Sequence, residues 1–206
     1  VEPTGPLPES VDFPLIPGPG SDEFSIVVFG DTQPYRLVEV DYLGRDLVSG
    51  LIGTGEYEFG MTLGDIVGDN LDLLMPVTRM VGKIGIPWHH VMGNHDENYD
   101  VTSDQFADER YEAVYGPPTY SFNRGRVHFI VFDDILYPDP RDGEGYWGGL
   151  REDQLTFIEN DLKHVPGDHL IVMAMHIPMF TSRGASPAFS DEVRERLMEL
   201  LRPYQR

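Results

Sequence analysis

The chain has 206 residues, of which 40% are hydrophobic and 24% are charged, so it can bury one sizeable core and is expected to form one globular domain. Its formal charge of -20, from 35 acidic and 15 basic residues, should repel phosphate backbones and anionic membranes and argues against nucleic-acid binding through bulk charge. The absence of cysteine excludes disulfide bonds and thiolate metal sites, and no apolar run approaches the roughly 18 residues of a membrane span.

Residues 1–22 are predicted to be a proline-rich connector from a preceding domain. The first twenty residues contain six prolines and end in Pro17-Gly18-Pro19-Gly20. This composition favours an extended, semi-rigid segment over a packed element. We therefore expect a folded domain over residues 23–206, with flanking domains in a longer parent chain.

Beyond the connector, apolar runs alternate with stretches of helical spacing, which indicates an α/β layered fold with mixed sheets. In chain order the predicted elements are strand 24–29, helix 37–51, strand 59–63, helix 71–81, strand 86–92, helix 104–114, strands 119–122 and 127–132, helix 150–162, strand 169–175 and helix 191–201. Asn123-Arg124-Gly125 predicts a tight hairpin, so the two strands that it joins should be antiparallel.

Four of the predicted strands end in a turn that carries a side chain able to bind a metal ion. The turns are Gly30-Asp31-Thr32-Gln33, Gly64-Asp65-Ile66-Val67, Gly93-Asn94-His95-Asp96 and Met175-His176-Ile177-Pro178. One such turn is ordinary, because Gly-Asp and Gly-Asn pairs are common turn formers. Four such turns in succession, each after a predicted strand, are not ordinary. The carboxyl ends of strands line the ligand crevice of open α/β sheets, so these turns should meet there. Carboxylate, amide oxygen and imidazole are ligands for Mn, Fe or Zn in hydrolytic sites.

At these turns the sequence resembles the calcineurin-like metallophosphoesterases, whose motifs are Asp-x-His, Gly-Asp, Gly-Asn-His-Asp/Glu, a lone His and Gly-His-x-His. The resemblance implies an α/β layered αββα sandwich with mixed β-sheets and a metal site at the carboxyl ends of the strands. It also implies two divalent metal ions, Mn, Fe or Zn. Asp31 would bind the first metal, Asp65 would bridge both, and Asn94 and His176 would bind the second. Gln33 is a further candidate ligand.

His95 and Asp96 are the catalytic candidates that the same resemblance implies. His95 would face the phosphate and assist the leaving group rather than bind a metal. Asp96 would orient the ring of His95. The implied reaction is hydrolysis at phosphorus by a hydroxide that bridges the two metals.

The sequence departs from the family pattern at two places. Gln33 stands where the family commonly has histidine, so its amide oxygen would be a weaker ligand or none. No Gly-His-x-His occurs, and the chain stops at Arg206, so we expect truncation before that motif. The sequence also lacks the arginine of the protein serine/threonine phosphatase motif, since Gly68-Asp69 follows Val67.

The leading functional hypothesis is a phosphoesterase that acts on diesters or small phosphorylated molecules, with monoesters as the alternative. A rival is a binding or scaffold module that kept the fold and lost the chemistry, which Gln33 and the missing histidine pair motivate. A Gly-His-x-His motif soon after Arg206 in the parent reading frame would count against the rival.

Two further segments resemble an exported bacterial branch of the family, which predicts a periplasmic or extracellular location. They are 120–125 (Tyr-Ser-Phe-Asn-Arg-Gly) and 146–150 (Tyr-Trp-Gly-Gly-Leu). Several side chains near the ligand turns or on loops are weaker candidates for substrate contact, and packing or capping is the alternative for each: Tyr35, Asn98, Tyr99, Tyr146, Trp147 and Arg183.

Overall fold

The computed structural model describes residues 22–180 and 189–204. The predicted connector up to residue 21 and the candidate Arg183 lie outside the described residues.

The described chain contains two three-stranded sheets and one short two-stranded sheet. The strands are β1 (Ile26–Phe29), β2 (Phe59–Leu63), β3 (Trp88–Val91), β4 (Tyr120–Arg124), β5 (Val127–Val131), β6 (Ile135–Leu136), β7 (Trp147–Gly148) and β8 (Leu170–Ala174). The first sheet has the order β1-β2-β3 with both pairs parallel. In the second sheet β5 lies between β4, which is antiparallel to it, and β8, which is parallel.

Five α-helices cover the outer faces of the sheets in the described residues. They are α1 (Leu37–Asp46), α2 (Leu74–Val81), α3 (Glu109–Tyr115), α4 (Glu152–Leu162) and α5 (Asp191–Leu201). No helix in this part of the chain is both long enough and apolar enough to span a bilayer.

Three apolar clusters define the layers. One joins buried residues of α1, α2 and α3 to the outer face of the first sheet, including Val40, Val77 and Tyr111. A second joins α4 and α5 to the second sheet. The third lies between the sheets and contains Met61 and Phe129. Helix, sheet, sheet and helix are therefore stacked in that order, which confirms the predicted αββα sandwich.

The structure corrects the sequence-based description of the first sheet and of one helix. The first sheet is entirely parallel among the described strands, so only the second sheet is mixed. Predicted helix 104–114 divides into a 3-10 turn, Asp104–Phe106, and α3. The division has a local cause: the carbonyl of Ala107 accepts a hydrogen bond from the backbone N–H of Asn98 at 2.7 Å, where a continuous helix would use it internally.

Candidate metal centre

The four predicted ligand turns converge at one edge of the molecule. Asp31 follows β1, Asp65 follows β2, Asn94 follows β3 and His176 follows β8. Asp31, Asp65 and His176 each offer a ligand atom, and these atoms lie within 4.8 Å of one another. Parallel strands place their carboxyl ends at the same edge, which is why residues so distant in sequence meet here.

His176 is held with one ring nitrogen facing the other candidate ligands. Its Nδ1 lies 2.9 Å from the backbone carbonyl of Leu63, a contact that requires a proton on Nδ1. Its Nε2 lies 3.2 Å from Asn94 Oδ1 and 3.3 Å from Asp65 Oδ1. In the neutral ring this tautomer leaves Nε2 with a lone pair, so three acceptor atoms face one another.

Such a group of acceptors fits a cation. Divalent metals bind nitrogen and oxygen at roughly 2.0–2.2 Å, so neighbouring ligand atoms in a tetrahedral or octahedral shell lie about 3.0–3.4 Å apart. The separations of 3.2 and 3.3 Å around His176 Nε2 fall in this range. Asp31 is more loosely placed, with Oδ1 3.8 Å from His176 Nδ1 and a side chain that is 64% exposed. The donor set therefore suits a divalent metal ion.

Asp65 contacts two of the other candidate ligand turns through hydrogen bonds. Its Oδ1 accepts a hydrogen bond from the backbone N–H of His95 at 3.0 Å, and its Oδ2 accepts one from Gln33 Nε2 at 2.8 Å. Gln33 thus contacts a candidate ligand through its amide nitrogen. Rotation of the amide by 180° would bring its oxygen to the same place, which is what metal binding by Gln33 requires. Burial raises the pKa of Asp65, whereas the hydrogen bond from the backbone N–H of His95 lowers it.

The backbone at these turns is strained, which is common at functional sites. Asp31, Gln33 and Asp65 have φ values of 45°, 36° and 47°, in the left-handed region that residues with a β-carbon seldom adopt. Hydrogen bonds hold the first two turns together in this form. The N–H of Gln33 donates to the carbonyl of Asp65 at 3.0 Å, and Thr32 Oγ1 donates to the carbonyl of Ile66 at 3.0 Å.

His95 is oriented by Asp69, and the sequence-based expectation that Asp96 does so is corrected. His95 Nδ1 lies 2.6 Å from Asp69 Oδ1, and the backbone N–H of Asp69 donates to the carbonyl of His95 at 3.2 Å. Asp69 was missed because it sits four residues after Asp65, beyond the recognised motif. Its φ of 65° turns the chain back toward the ring.

Asp96 instead fastens two ligand turns to each other. Its carboxylate accepts hydrogen bonds from the backbone N–H groups of Ile66, Val67 and Gly93 at 3.1, 3.0 and 3.0 Å. The side chain is fully buried, and burial raises its pKa to about 7 although the three N–H donors favour the ionised form. Asp96 therefore acts on the site through the backbone of the Asp65 and Asn94 turns.

The glycines before Asp65 and Asn94 allow the turns to approach closely, whereas the glycine before Asp31 is not needed for close approach. A β-carbon on Gly93 would lie 2.2 Å from the backbone nitrogen of Asp65, and one on Gly64 would lie 2.4 Å from Nδ1 of His176. Gly64 also has a φ of 86°. A β-carbon on Gly30 would meet no atom within 4 Å. Glycine therefore permits close approach at the turns after β2 and β3.

Asp134 supports the fourth turn and was missed in the sequence. Its Oδ1 accepts a hydrogen bond from the backbone N–H of His176 at 3.2 Å, and its side chain is fully buried. The signal was present, because Asp133 and Asp134 follow the apolar run of β5 as the ligands follow β1, β2, β3 and β8. A second carboxyl oxygen, Asp134 Oδ2, has no hydrogen-bond partner in the described structure.

Of the weaker candidates, Tyr99 and Tyr35 lie beside the site. Tyr99 donates its hydroxyl hydrogen to the backbone carbonyl of Asn94. The ring of Tyr35 makes an edge contact with His95, with centroids 6.3 Å apart. Trp147 lies under the guanidinium of Arg141, which is 3.1 Å from its ring centroid, so its ring is engaged within the loop.

Fold and site together define an α/β layered protein with a candidate metal centre at the carboxyl ends of its strands. The chain belongs to the calcineurin-like phosphoesterase family, whose model matches residues 24–204. Membership of this family supports metal-dependent hydrolysis of phosphoesters as the general activity of the domain.

A solved structure of a dimetal phosphatase from Danio rerio is similar to this chain in fold. It has 16% sequence identity and a TM-score of 0.57, and the match covers 87% of this chain and 77% of that one. At this identity the similarity shows the layered fold. No curated protein matches the chain.

Proposed function

We propose that this chain hydrolyses phosphoesters with two divalent metal ions held by Asp31, Asp65, Asn94 and His176, with Gln33 as a further ligand. The observation that carries the proposal is the convergence of acceptors on His176 Nε2, at 3.2 Å from Asn94 Oδ1 and 3.3 Å from Asp65 Oδ1. With the ring neutral, a bound cation would offset the repulsion between the lone pairs of this cluster. Bound divalent ions would polarise the phosphorus–oxygen bonds and lower the pKa of the attacking water.

The protein's own groups would orient the substrate and handle its protons. His95 lies beside the metal ligands because its backbone N–H donates to Asp65 Oδ1 at 3.0 Å. Asp69 Oδ1 lies 2.6 Å from Nδ1 of the ring, which favours the proton on that atom and leaves Nε2 available to a substrate. Once protonated, Nε2 can donate a hydrogen bond to the oxygen of the leaving group.

Phosphodiesters and small phosphorylated molecules are the substrates that we propose first, and phosphomonoesters second. The local charge of bound divalent ions would attract an anionic substrate despite the net charge of -20, because distant surface carboxylates are screened within roughly 10 Å.

The alternative is a binding module without catalytic activity. It is favoured by the hydrogen bond of 2.8 Å from Gln33 Nε2 to Asp65 Oδ2. In this orientation the amide occupies a lone pair of a candidate ligand and does not supply a ligand atom of its own. The two functions differ in what metal ions do, since only the enzyme needs them for turnover.

The test is metal content and turnover measured on the same preparation. The chain is incubated with excess manganese, desalted and analysed for manganese, and hydrolysis of bis(p-nitrophenyl) phosphate and p-nitrophenyl phosphate is then followed with and without a chelator. We expect two manganese ions per chain and hydrolysis that the chelator abolishes.

Asp65→Asn is the matched variant, and Asp41→Asn is its control. Both remove one carboxylate, but Asp41 is exposed on α1 and is not a candidate ligand. Asp65→Asn should lose manganese and turnover together, whereas Asp41→Asn should keep both. Manganese binding without turnover of either substrate would favour the binding module, and absence of bound manganese would refute the proposed metal centre.

A further inference from the structure

Tyr35 lies beside His95 with about half of its surface open to solvent. The two rings are nearly perpendicular, at 76°, with centroids 6.3 Å apart, and Tyr35 is 49% exposed. In the proposed reaction, Nε2 of His95 donates to the oxygen of the leaving group. The organic group attached to that oxygen therefore begins next to this pair of rings. The chemistry of Tyr35 consequently bears on which leaving groups the site accepts.

The backbone of Tyr35 is held on both sides by hydrogen bonds. The N–H of Gly68 donates to the carbonyl of Pro34 at 3.1 Å, which ties the residue before Tyr35 to the segment that follows Asp65. The N–H of Tyr35 donates to Oε2 of Glu39 at 2.7 Å, at the start of α1. A residue that is fixed in this way loses little conformational freedom when a ligand binds, which favours affinity.

Gly68 provides the space that the ring of Tyr35 occupies. A β-carbon on Gly68 would lie 2.6 Å from Cε1 and Cζ of Tyr35 and 2.7 Å from Cδ1, so a side chain there would displace the ring. Gly68 precedes Asp69, whose Oδ1 lies 2.6 Å from Nδ1 of His95. The same short segment thus positions both rings, and Tyr35 and His95 form a preorganised pair.

A neutral aromatic group is the partner that this pair of rings fits. Covering the open part of the Tyr35 ring with any apolar group would remove apolar surface from water. A second aromatic ring would gain more than this area provides, because offset or perpendicular ring pairs attract each other. An anionic group would instead meet the carboxylate of Asp69, whose side chain is 55% exposed beside His95.

We propose that Tyr35 is a specificity-determining residue that stacks against an aromatic ring on the leaving alcohol. The preferred substrates are then phosphoesters of alcohols that carry such a ring, and aliphatic esters of similar size are poorer substrates. The inference rests on the proposed function, because it assigns the organic part of the same substrate.

Binding is tested separately from turnover, with phosphonates in which a methylene group replaces the ester oxygen. Titration calorimetry on the manganese-loaded chain compares 2-phenylethylphosphonate, 2-cyclohexylethylphosphonate and propylphosphonate, which carry a flat ring, a puckered ring and no ring. We expect the phenyl compound to bind about three- to tenfold more tightly than the cyclohexyl compound, the gain typical of one aromatic pair. Benzyl phosphate and cyclohexylmethyl phosphate, whose alcohols are similar leaving groups, should show the same preference in kcat/KM.

Four variants identify Tyr35 as the source of the preference. Tyr35→Ala removes the ring and should abolish the preference, whereas Tyr35→Phe keeps the ring and should keep it. Gly68→Ala should lower the ratio of the two affinities several-fold, because its β-carbon takes the place of the ring while the φ of Gly68 is not in the left-handed region. Phe157→Ala removes a ring that is 36% exposed on α4 and should leave the ratio unchanged.

The outcomes separate this inference from the proposed function. Hydrolysis of benzyl phosphate and cyclohexylmethyl phosphate with equal kcat/KM would overturn the inference and leave the function standing. Selective binding of 2-phenylethylphosphonate without hydrolysis of any ester would do the reverse. A preference that survives in Tyr35→Ala would also overturn the inference, because the selectivity would then arise elsewhere.

Discussion

At the scale of single residues, the carboxylates in and around the candidate metal centre have different roles. Asp65 faces the acceptor cluster, with Oδ1 3.3 Å from His176 Nε2. Asp69 and Asp96 do not face this cluster, although Asp69 follows Asp65 closely in the sequence and Asp96 follows Asn94. Asp69 contacts the ring of His95, and Asp96 contacts backbone N–H groups. This division of roles predicts different consequences for substitution of the two.

Asp69→Asn should reduce turnover with little effect on folding. The amide keeps the size of the side chain but weakens control over the tautomer and orientation of His95, so we expect kcat to fall about 10- to 100-fold while KM changes little. Steady-state kinetics with bis(p-nitrophenyl) phosphate measures the split. The free energy of unfolding should change by less than about 1 kcal/mol, because the Asp69 side chain is 55% exposed. An unchanged kcat would remove Asp69 from its positioning role.

Asp96→Ala should instead destabilise the fold. It leaves the N–H groups of Ile66, Val67 and Gly93 buried without an acceptor, and each unsatisfied group costs about 1–3 kcal/mol. We therefore expect a loss of roughly 3 kcal/mol or more in the free energy of unfolding, measured by urea denaturation of the metal-free chain. Asp41→Ala, at an exposed helix position, serves as the control. A loss below about 1 kcal/mol for Asp96→Ala would contradict the fastening role.

At the scale of elements, the approach of the β2 and β3 turns requires a residue without a β-carbon at position 93. Gly93→Ala would bring its β-carbon to 2.2 Å from the Asp65 nitrogen and 2.4 Å from Asp65 Oδ1, so the two turns must separate. We expect manganese affinity to fall at least about tenfold, with stability lowered by about 1–3 kcal/mol. Titration calorimetry measures the first and urea denaturation the second.

Gly30→Ala is the matched control for this substitution. Gly30 precedes Asp31 as Gly93 precedes Asn94, but a β-carbon there would meet no atom within 4 Å. Manganese affinity should therefore stay within about twofold of the unsubstituted chain. If both alanine variants lost manganese equally, close approach would not be what the glycine at position 93 provides.

The element pattern itself was predictable to a large extent because it depends on local periodicity. The predicted helix 191–201 is α5 (Asp191–Leu201), and the hairpin predicted at Asn123-Arg124-Gly125 joins antiparallel β4 and β5. The predicted boundaries of an element were wrong where a contact outside that element competed with the local pattern. In predicted helix 104–114, the backbone N–H of Asn98 donates a hydrogen bond to the carbonyl of Ala107. The parallel pairing of the whole first sheet also depends on contacts between strands about 30 residues apart, which no local pattern records.

At the scale of the whole molecule, buried carboxyl groups make stability depend on pH. Burial raises the pKa of Asp133 to about 7 and that of Asp108 to about 6, and Glu97 shifts further in the same direction. Above the ordinary carboxyl pKa of about 4, the folded state therefore binds more protons than the unfolded state does. Stability should fall as the pH rises through the folded-state values.

We accordingly expect the metal-free chain to lose at least about 1 kcal/mol of unfolding free energy between pH 5 and pH 8. Urea denaturation at several pH values in the presence of a chelator measures this. The net charge of -20 acts in the same direction, since self-repulsion grows as carboxyl groups ionise. The Asp133→Asn variant should show a shallower dependence. A rise in stability over this interval would contradict the protonated state of the buried groups.

The sequence by itself determined the layered α/β architecture and predicted the four candidate ligand turns, because strand periodicity, glycine and side chains able to bind a metal are local features. Asp31, Asp65, Asn94 and His176 were named from those features and lie at one edge of the fold. Only the tertiary structure decided which carboxylate holds His95 and which fastens the turns. Asp69 and Asp96 are both acidic residues near the same motifs, and their roles follow from the directions in which the folded backbone points them.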